Sequence, residues 1–467
     1  MSRAVPLILA VALFMEQVDS TVISTALPVI AEDLGTSPIA LKLALTAYYV
    51  ALAVFIPVSG WMADRYGAKP VFLAAIAVFM AGSLACAQAG SLGGFVAARF
   101  LQGMGGAMMT PVARLVLVRT VPRGQLVPAM AWLTIPALVG PLIGPPLGGF
   151  IATFLTWHWI FLINLPIGIL GMLATWHFLP AIPSEPAGRL DLAGFLLAGT
   201  AASGLLFGFS VVSLPALPVW TGAAGIAVGA ASLLAYLHHA RAHPAPLLSL
   251  ALFRNPVFRS AVTGGSLFRL GIGALPFLIP LMLQLAFGLS AFQSGMITFV
   301  GAIGAIAMKF AAHGVYARFG FRAVLVATGV VSALTYAGLA AFGLGTPFAL
   351  LYALLLAGGF ARSLFFTGLN ALTFSAVEPG QAAQATAVAS VMQQLAIAAG
   401  VALAGTILEL STLWHGRPVA LADFHLAFLV IGALGLVAVA VFWRLPPGAG
   451  DEASGRTARR AELGAAP

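Results

Sequence analysis

An all-α, polytopic membrane protein is the fold class this sequence predicts, on three observations. Of its 467 residues, 61% are hydrophobic and only 7% are charged, whereas a soluble domain carries about 25% charged residues. The apolar residues fall in runs long enough to cross a hydrocarbon layer of ~30 Å, which takes about 20 helical residues. The polar residues gather between those runs, in loops too short to fold by themselves.

The apolar runs cover residues 6–31, 41–62, 70–89, 92–118, 126–153, 159–179, 191–211, 217–237, 258–286, 293–313, 322–342, 347–373, 383–409 and 424–444, about fourteen spans in all. Arg3 followed by an apolar stretch resembles a signal peptide, but the length of that stretch, its two acids and the spans behind it predict a retained first helix. Basic residues set the orientation. Arg3, Arg65, Lys69, Arg119, Arg123, Arg189, Arg241, Arg254, Arg259, Arg318, Arg322 and Arg444 fall at a terminus or in even-numbered loops, and only Lys42 and Arg417 lie clearly in odd-numbered ones. By the positive-inside rule both termini are cytoplasmic, and an even number of spans agrees. The chain from Pro446 onward, polar and rich in Gly, Ala and Arg, reads as a disordered cytoplasmic tail.

A faint internal repeat gives the domain order. GWMADRYGAKP (60–70) follows the second run and HGVYARFGFRA (313–323) follows the tenth. Arg65, Tyr66, Gly67 and Lys69 match Arg318, Phe319, Gly320 and Arg322 in spacing, while Ala317 stands opposite Asp64. Repeated halves in a helical membrane protein point to a transporter with its site between them. The expected division is an N-terminal six-helix bundle over 1–179, a linker with two inserted helices over 180–257, a C-terminal six-helix bundle over 258–444 and the tail over 445–467.

Polar residues within the spans are the candidate machinery. Glu16 and Asp19 stand three residues apart in the first run, on one helix face. A single acid at mid-membrane costs about 2.5–3.5 kcal/mol, so such residues mark function by default. Arg99, in ARFLQGMGGAMM (98–109), must pair or reach water; the alternative is that it snorkels to the outer interface. Gly103, Gly105 and Gly106 beside it permit close helix approach. In PALVGPLIGPPLGGF (136–150), Gly140, Gly144 and Gly148 recur every fourth residue, interleaved with Pro141, Pro145 and Gly149. That pattern gives either a kinked packing helix or a hinge. Gln102, Arg269, Gln284, Asn370 and Gln393 are candidates for a substrate cavity, although such amides more often join helices to one another. In the short loop after the second run, Gly60 and Gly67 permit a turn, and Asp64 can pair with Arg65 or Lys69 or face a helix N-terminus across the interface of the halves.

Several classes are excluded. The lysines are Lys42, Lys69 and Lys309, none followed by Ser or Thr, so there is no nucleotide phosphate loop. No H-E-x-x-H stretch or nucleophile–His–acid set stands out, and an enzyme is not expected. The net charge of +9 is dispersed, without the basic patch and interleaved aromatics of a nucleic-acid binder. Cys86 is the only cysteine, so no internal disulfide forms. His238, His239 and His243 do not by their spacing suggest a metal site. No cofactor is expected, and uphill movement would draw on an ion gradient.

DSTVISTALP (19–28), GWMADRYGAKP, RFLQGMGGAMM, GPLIGPPLGG, WHWIFLINLPIG (157–168), RLDLAGFLL (189–197), HPAPLLSLALFRNPVF (243–258) and QQLAIAAGVALAG (393–405) together resemble the fourteen-helix drug:proton antiporter family (EmrB/QacA type) of the major facilitator superfamily, nearest its MdtD/HsrA-like bacterial branch. The resemblance implies two six-helix bundles, two inserted helices and alternating access. It implies that Asp19 binds protons and that Arg99 faces the cavity and tunes that acid. It implies that Gly60, Asp64, Arg65, Gly67 and Lys69 form a cytoplasmic latch, and that Gly140, Pro141, Gly144, Pro145, Gly148 and Gly149 form an antiporter motif associated with export. Glu16 is an additional acid, one turn nearer the cytoplasm, read as a cavity-facing protonatable residue coupled to Asp19, with a cation-substrate contact and a like-charge partner of Asp19 as the alternatives; the second latch lacks its acid at Ala317. The function so expected is proton-coupled export of amphipathic organic compounds from a bacterial cell, across the inner membrane, by a monomer whose partners are a small organic substrate, protons and lipid. An importer of a small metabolite and a non-transporting membrane sensor are the alternatives.

Overall fold

The computed structural model describes residues 4–121, 126–180, 182, 184, 188–214, 217–375, 377–378, 381–446 and 448–450. Its regular structure among these residues is helical throughout. The helices are α1 (Ala4–Val22), α2 (Leu27–Asp33), α3 (Lys42–Tyr66), α4 (Ala68–Ala87), α5 (Leu92–Thr120), α6 (Leu126–Phe154), α7 (Trp159–Leu162), α8 (Asn164–Phe178), α9 (Leu192–Val211), α10 (Val219–Ala242), α11 (Pro256–Leu281), α12 (Ala291–Ala340), α13 (Phe348–Ser375), α14 (Ala382–His415) and α15 (Leu421–Trp443). Among the described residues, thirteen helical segments have the length and apolarity to cross a membrane, and a shorter apolar stretch, Val139–Phe154, belongs to α6. With the 29-residue α6 included, the segments match the fourteen runs of the sequence one for one.

Two compact units emerge. The first comprises Met1–Leu247 with Gly288–Met296, the second Leu248–Phe287 with Ile297–Pro467. The inserted pair α9–α10 therefore groups with the N-terminal helices rather than standing as a separate linker. The tail expected over 445–467 lies mostly outside the described residues.

The first run is not one continuous helix. α1 gives way to a tight turn over Ile23–Thr25 before α2 begins, with Pro28 in the first turn of α2. The cause is local chemistry. Thr21 donates to the carbonyls of Gln17 and Val18, and Ser24 donates to that of Thr21. Such side-chain bonds compete with the helical ladder, and Pro28 cannot donate to it.

Glycines set how closely the first unit packs. A Cβ on Gly140 would lie 2.6 Å from Gln17 Cβ, and one on Gly144 or Gly148 would overlap Thr21 or the Val22 carbonyl. The every-fourth-residue face of α6 thus lies flat on α1. Within the inserted pair, Gly204 and Gly208 of α9 face Gly225 and Gly229 of α10 at distances no side chain fits. Lys42, expected in an outer loop, instead opens α3 fully buried, its Nζ donating to Ser213 Oγ beyond α9 at 2.9 Å. Asp191 caps α9 by accepting from the Gly194 N–H at 2.8 Å. Burial pushes its carboxyl up, but the bonds from Gly194 N–H, His239 and Leu247 N–H outweigh that and hold it below the usual carboxylate range. The stabilisation from this depressed value is complete above the ordinary carboxylate pKa and is lost as pH falls through the depressed one.

The faint repeat has a structural basis. Gly67, between α3 and α4, has φ +88° and ψ 141°. Gly320, its counterpart inside the helical run α12, has φ 74° and ψ 168° and breaks that run in two. Both conformations are essentially reserved for glycine. Gly67→Ala is expected to cost about 1–3 kcal/mol, whereas Gly60→Ala, with open space around its Cβ, is expected to leave thermal unfolding in detergent unchanged.

Candidate functional site

The most polar feature inside the first unit forms where α1, α4, α5 and α8 meet. α1 carries Asp19, α4 carries Ser83, α5 carries Arg99 and Gln102, and Asn164 opens α8; each is almost fully buried. Close approach of the helices makes room for them. A Cβ on Gly82 would lie 2.5 Å from the Gln102 backbone, and one on Gly103 would lie 2.5 Å from the Tyr48 carbonyl.

Asp19 is surrounded by donors. Its Oδ2 accepts from Arg99 Nη1 at 2.7 Å; its Oδ1 accepts from Gln102 Nε2 at 2.7 Å and Asn164 Nδ2 at 2.8 Å. Ser83 Oγ accepts from the same two amides, at 2.7 and 3.1 Å, and Gln102 Oε1 accepts from Arg99. The guanidinium also lies 4.4 Å from the centroid of the Tyr48 ring, a cation–π contact. A carboxylate facing three donors, one of them cationic, has its charge and lone pairs well matched.

Glu16, one turn earlier, is differently placed. Its Oε2 accepts one hydrogen bond among the described residues, from Thr110 Oγ1 at 2.9 Å. A Cβ on Gly106 would sit 3.2 Å from the Tyr48 hydroxyl and 3.8 Å from Glu16 Cγ, so these two groups converge on the space that Gly106 leaves open. The Tyr48 hydroxyl is buried and has no hydrogen-bond partner among the described residues. A hydroxyl both donates and accepts, so this partner can serve the carboxyl in either protonation state.

The model described as Major Facilitator Superfamily matches residues 9–401 and, in a second match, 261–465. The chain belongs to the major facilitator superfamily. The second match begins within α11 and reaches the tail, as expected of a superfamily chain with repeated halves. The MdtD protein of Salmonella newport (strain SL254), whose name assigns it provisionally to multidrug resistance, is 40% identical over 401 residues, 86% of this chain and 85% of the relative. The MdtD protein of Salmonella typhi matches to the same extent. Among solved structures, a D-xylose–proton symporter aligns with TM-score 0.70 at 15% identity over 96% of this chain and 98% of its own. The human organic anion transporter MFSD10 aligns with TM-score 0.63 at 17% identity over 94% and 99%. At such identities these two likenesses establish the major facilitator fold.

The other expected residues of this major facilitator chain fall as follows. Asp64 pairs with Arg119 at the end of α5, Oδ1 to Nη2 at 2.7 Å, rather than with Arg65 or Lys69. Lys69 donates to the carbonyls of Trp176 and Leu179, at 2.8 and 2.6 Å, capping the end of α8 as a cation suits a helix C-terminus. Arg65 is exposed. In the second unit, Arg322, the counterpart of Lys69, lies over the Trp443 ring at the end of α15. Gly149 packs against Ala291 and Phe292, and Pro145 receives a hydrogen bond from Thr25 at 3.3 Å. Pro141 is half-buried. Of the cavity candidates, Gln102 joins Asp19, while Arg269, Gln284, Asn370 and Gln393 belong to the second unit. Arg269 is buried, its Nε without a hydrogen-bond partner among the described residues and its guanidinium 5.3 Å from the Phe366 ring, and Asn370 is exposed.

Sequence reasoning missed Asn164, Ser83, Thr110 and Tyr48. Asn164 was visible as a lone amide in WHWIFLINLPIG. Ser83 and Thr110 carry no signal, since hydroxyls are ordinary in membrane helices.

Proposed function

We propose that this chain is a proton-coupled antiporter that exports amphipathic organic compounds across a bacterial inner membrane, with both termini cytoplasmic, and that Glu16 is the group that takes up and releases the proton. The observation that carries the assignment is the contrast between the two acids. Asp19 accepts three hydrogen bonds, one of them from the Arg99 guanidinium, and Glu16 accepts one, from the Thr110 hydroxyl, among the described residues. In this reading Asp19 and Arg99 form a lock joining α1 to α5, and the charge on Glu16, one turn away, biases that lock between two arrangements. Protonation from outside neutralises Glu16, and release to the cytoplasm restores its charge. The drug class rests on the 40% identical MdtD relatives, and the energy source on the membrane acids together with the missing phosphate loop.

The test is transport in proteoliposomes under an imposed pH gradient, with ethidium and tetraphenylphosphonium as probe substrates and a pH-sensitive dye reporting protons. Wild type is expected to move protons only when probe is present, and Glu16→Gln is expected to abolish that coupled proton flux. Undiminished coupling in Glu16→Gln would remove Glu16 from the mechanism. Probe accumulation following the pH gradient in the same direction as the protons would favour an importer.

A further inference from the structure

We infer that the α9–α10 helix pair carries a divalent transition-metal site built by Asp191, His239 and His243. His239 and His243 stand four residues apart at the end of α10, the spacing that places two imidazoles on one helix face. Antiparallel packing of α9 on α10 through their glycines brings Asp191, at the start of α9, beside them. Asp191 Oδ1 lies 2.7 Å from His239 Nε2, the two imidazole rings are 5.0 Å apart, and one ligand atom from each of the three residues lies within 4.8 Å of the others.

Backbone groups hold the set in place. Gly194 N–H fixes Asp191 Oδ1, and Leu247 N–H donates to Oδ2 at 3.1 Å. Ala245 N–H donates to His243 Nδ1 at 3.2 Å, a bond that His243 would give up on binding metal, because it occupies the ring's one lone pair. A metal bound by His239 Nε2 and Asp191 would release the proton the two share to solvent, with His239 keeping its hydrogen on Nδ1, and would draw in His243, leaving a position for water. Two imidazoles and one carboxylate suit Zn²⁺ and its neighbours, while Mg²⁺ and Ca²⁺ prefer all-oxygen sets. Bound metal would tie both helix ends to the segment His243–Leu247 and stabilise the folded chain by mass action. The histidines alone did not suggest this, because the third ligand lies 48 residues before His239.

The rival reading is a plain Asp191–His239 ion pair with His243 a bystander. Zn²⁺ titration of the full-length, detergent-solubilised protein, freed of any histidine tag and read against a competing chelator dye, separates them. One saturable equivalent is expected in wild type and in His238→Ala. It is expected to weaken at least about tenfold, as when a metal site loses an anchoring group, in His243→Ala and in Asp191→Asn. The second variant keeps the helix cap, since Asn caps as well as Asp, so it remains informative if the first folds poorly. Mg²⁺ is expected not to compete. Equal Zn²⁺ affinity in wild type and both variants, or no saturable equivalent in wild type, would overturn the site.

Discussion

Asp19→Asn is expected to destabilise the protein by about 3–5 kcal/mol, the loss that follows when one partner of a buried ion pair is removed and the other charge stays behind. Arg99 is 1% exposed, its Nε already lacks a partner, and Asp19 is the one acid paired with it among the described residues. Asn retains the shape but turns an amide N–H₂ toward Gln102 and Asn164, which are themselves donors to that position. Thermal unfolding in detergent is expected to show a large fall in midpoint for Asp19→Asn and for Arg99→Gln, and a smaller one for the double variant, in which no uncompensated charge remains. Equal losses for the double and single variants would show that packing, not charge, sets the cost. Glu16→Gln is expected to unfold near the wild-type midpoint, because the amide oxygen still accepts from Thr110.

Gly148→Leu is expected to abolish stable packing of α6 on α1, and Gly148→Ala to cost at least the 1–3 kcal/mol typical of overpacked sites. A Cβ at this position overlaps the Val22 carbonyl, with Thr25 Oγ1 2.7 Å away. Backbone cannot yield as a side chain does. Gly144→Ala meets Thr21 Oγ1 and Cβ instead, and a rotamer change there makes the smaller loss the expected one. Gly435→Ala, with nothing within 4 Å of its Cβ, is the neutral control. Thermal unfolding together with probe transport in the same preparations checks all three. A normal midpoint with lost transport in Gly144→Ala would indicate that α6 must slide along α1 during the cycle.

Most of the architecture was legible because a membrane span is written as composition. About twenty apolar residues and a polar break are enough to place a helix, and the runs coincide with the helices to within a few residues at most ends. The glycine pair Gly67 and Gly320 was legible through the spacing of the repeat, and the two share a backbone state essentially reserved for glycine, whereas Gly60, also expected at the turn, lies inside α3. What sequence could not show is which helices meet. Asn164 lies 145 residues from Asp19 and touches it. Lys42 lies 171 residues from Ser213 and bonds to it. The positive-inside rule counts Lys42 as a loop charge, because hydropathy has no account of a lysine satisfied within the protein. Asp64 lies 55 residues from Arg119 and pairs with it. The break after Val22 was hidden for a different reason. Hydropathy does not distinguish a continuous helix from one interrupted by Ser and Thr side chains bonding to its carbonyls. The different surroundings of Glu16 and Asp19 are likewise invisible in sequence, where both are carboxyls on one face, and appear only once their donors are known.

The most direct measurement is infrared difference spectroscopy of the membrane-reconstituted protein across a pH titration, following the carbonyl band of a protonated carboxyl. This account predicts a titrating band in wild type that is absent in Glu16→Gln and retained in the Asp19→Asn/Arg99→Gln double variant, where the lock is removed without stranding a charge. A band that persists in Glu16→Gln and disappears with Asp19 would contradict it.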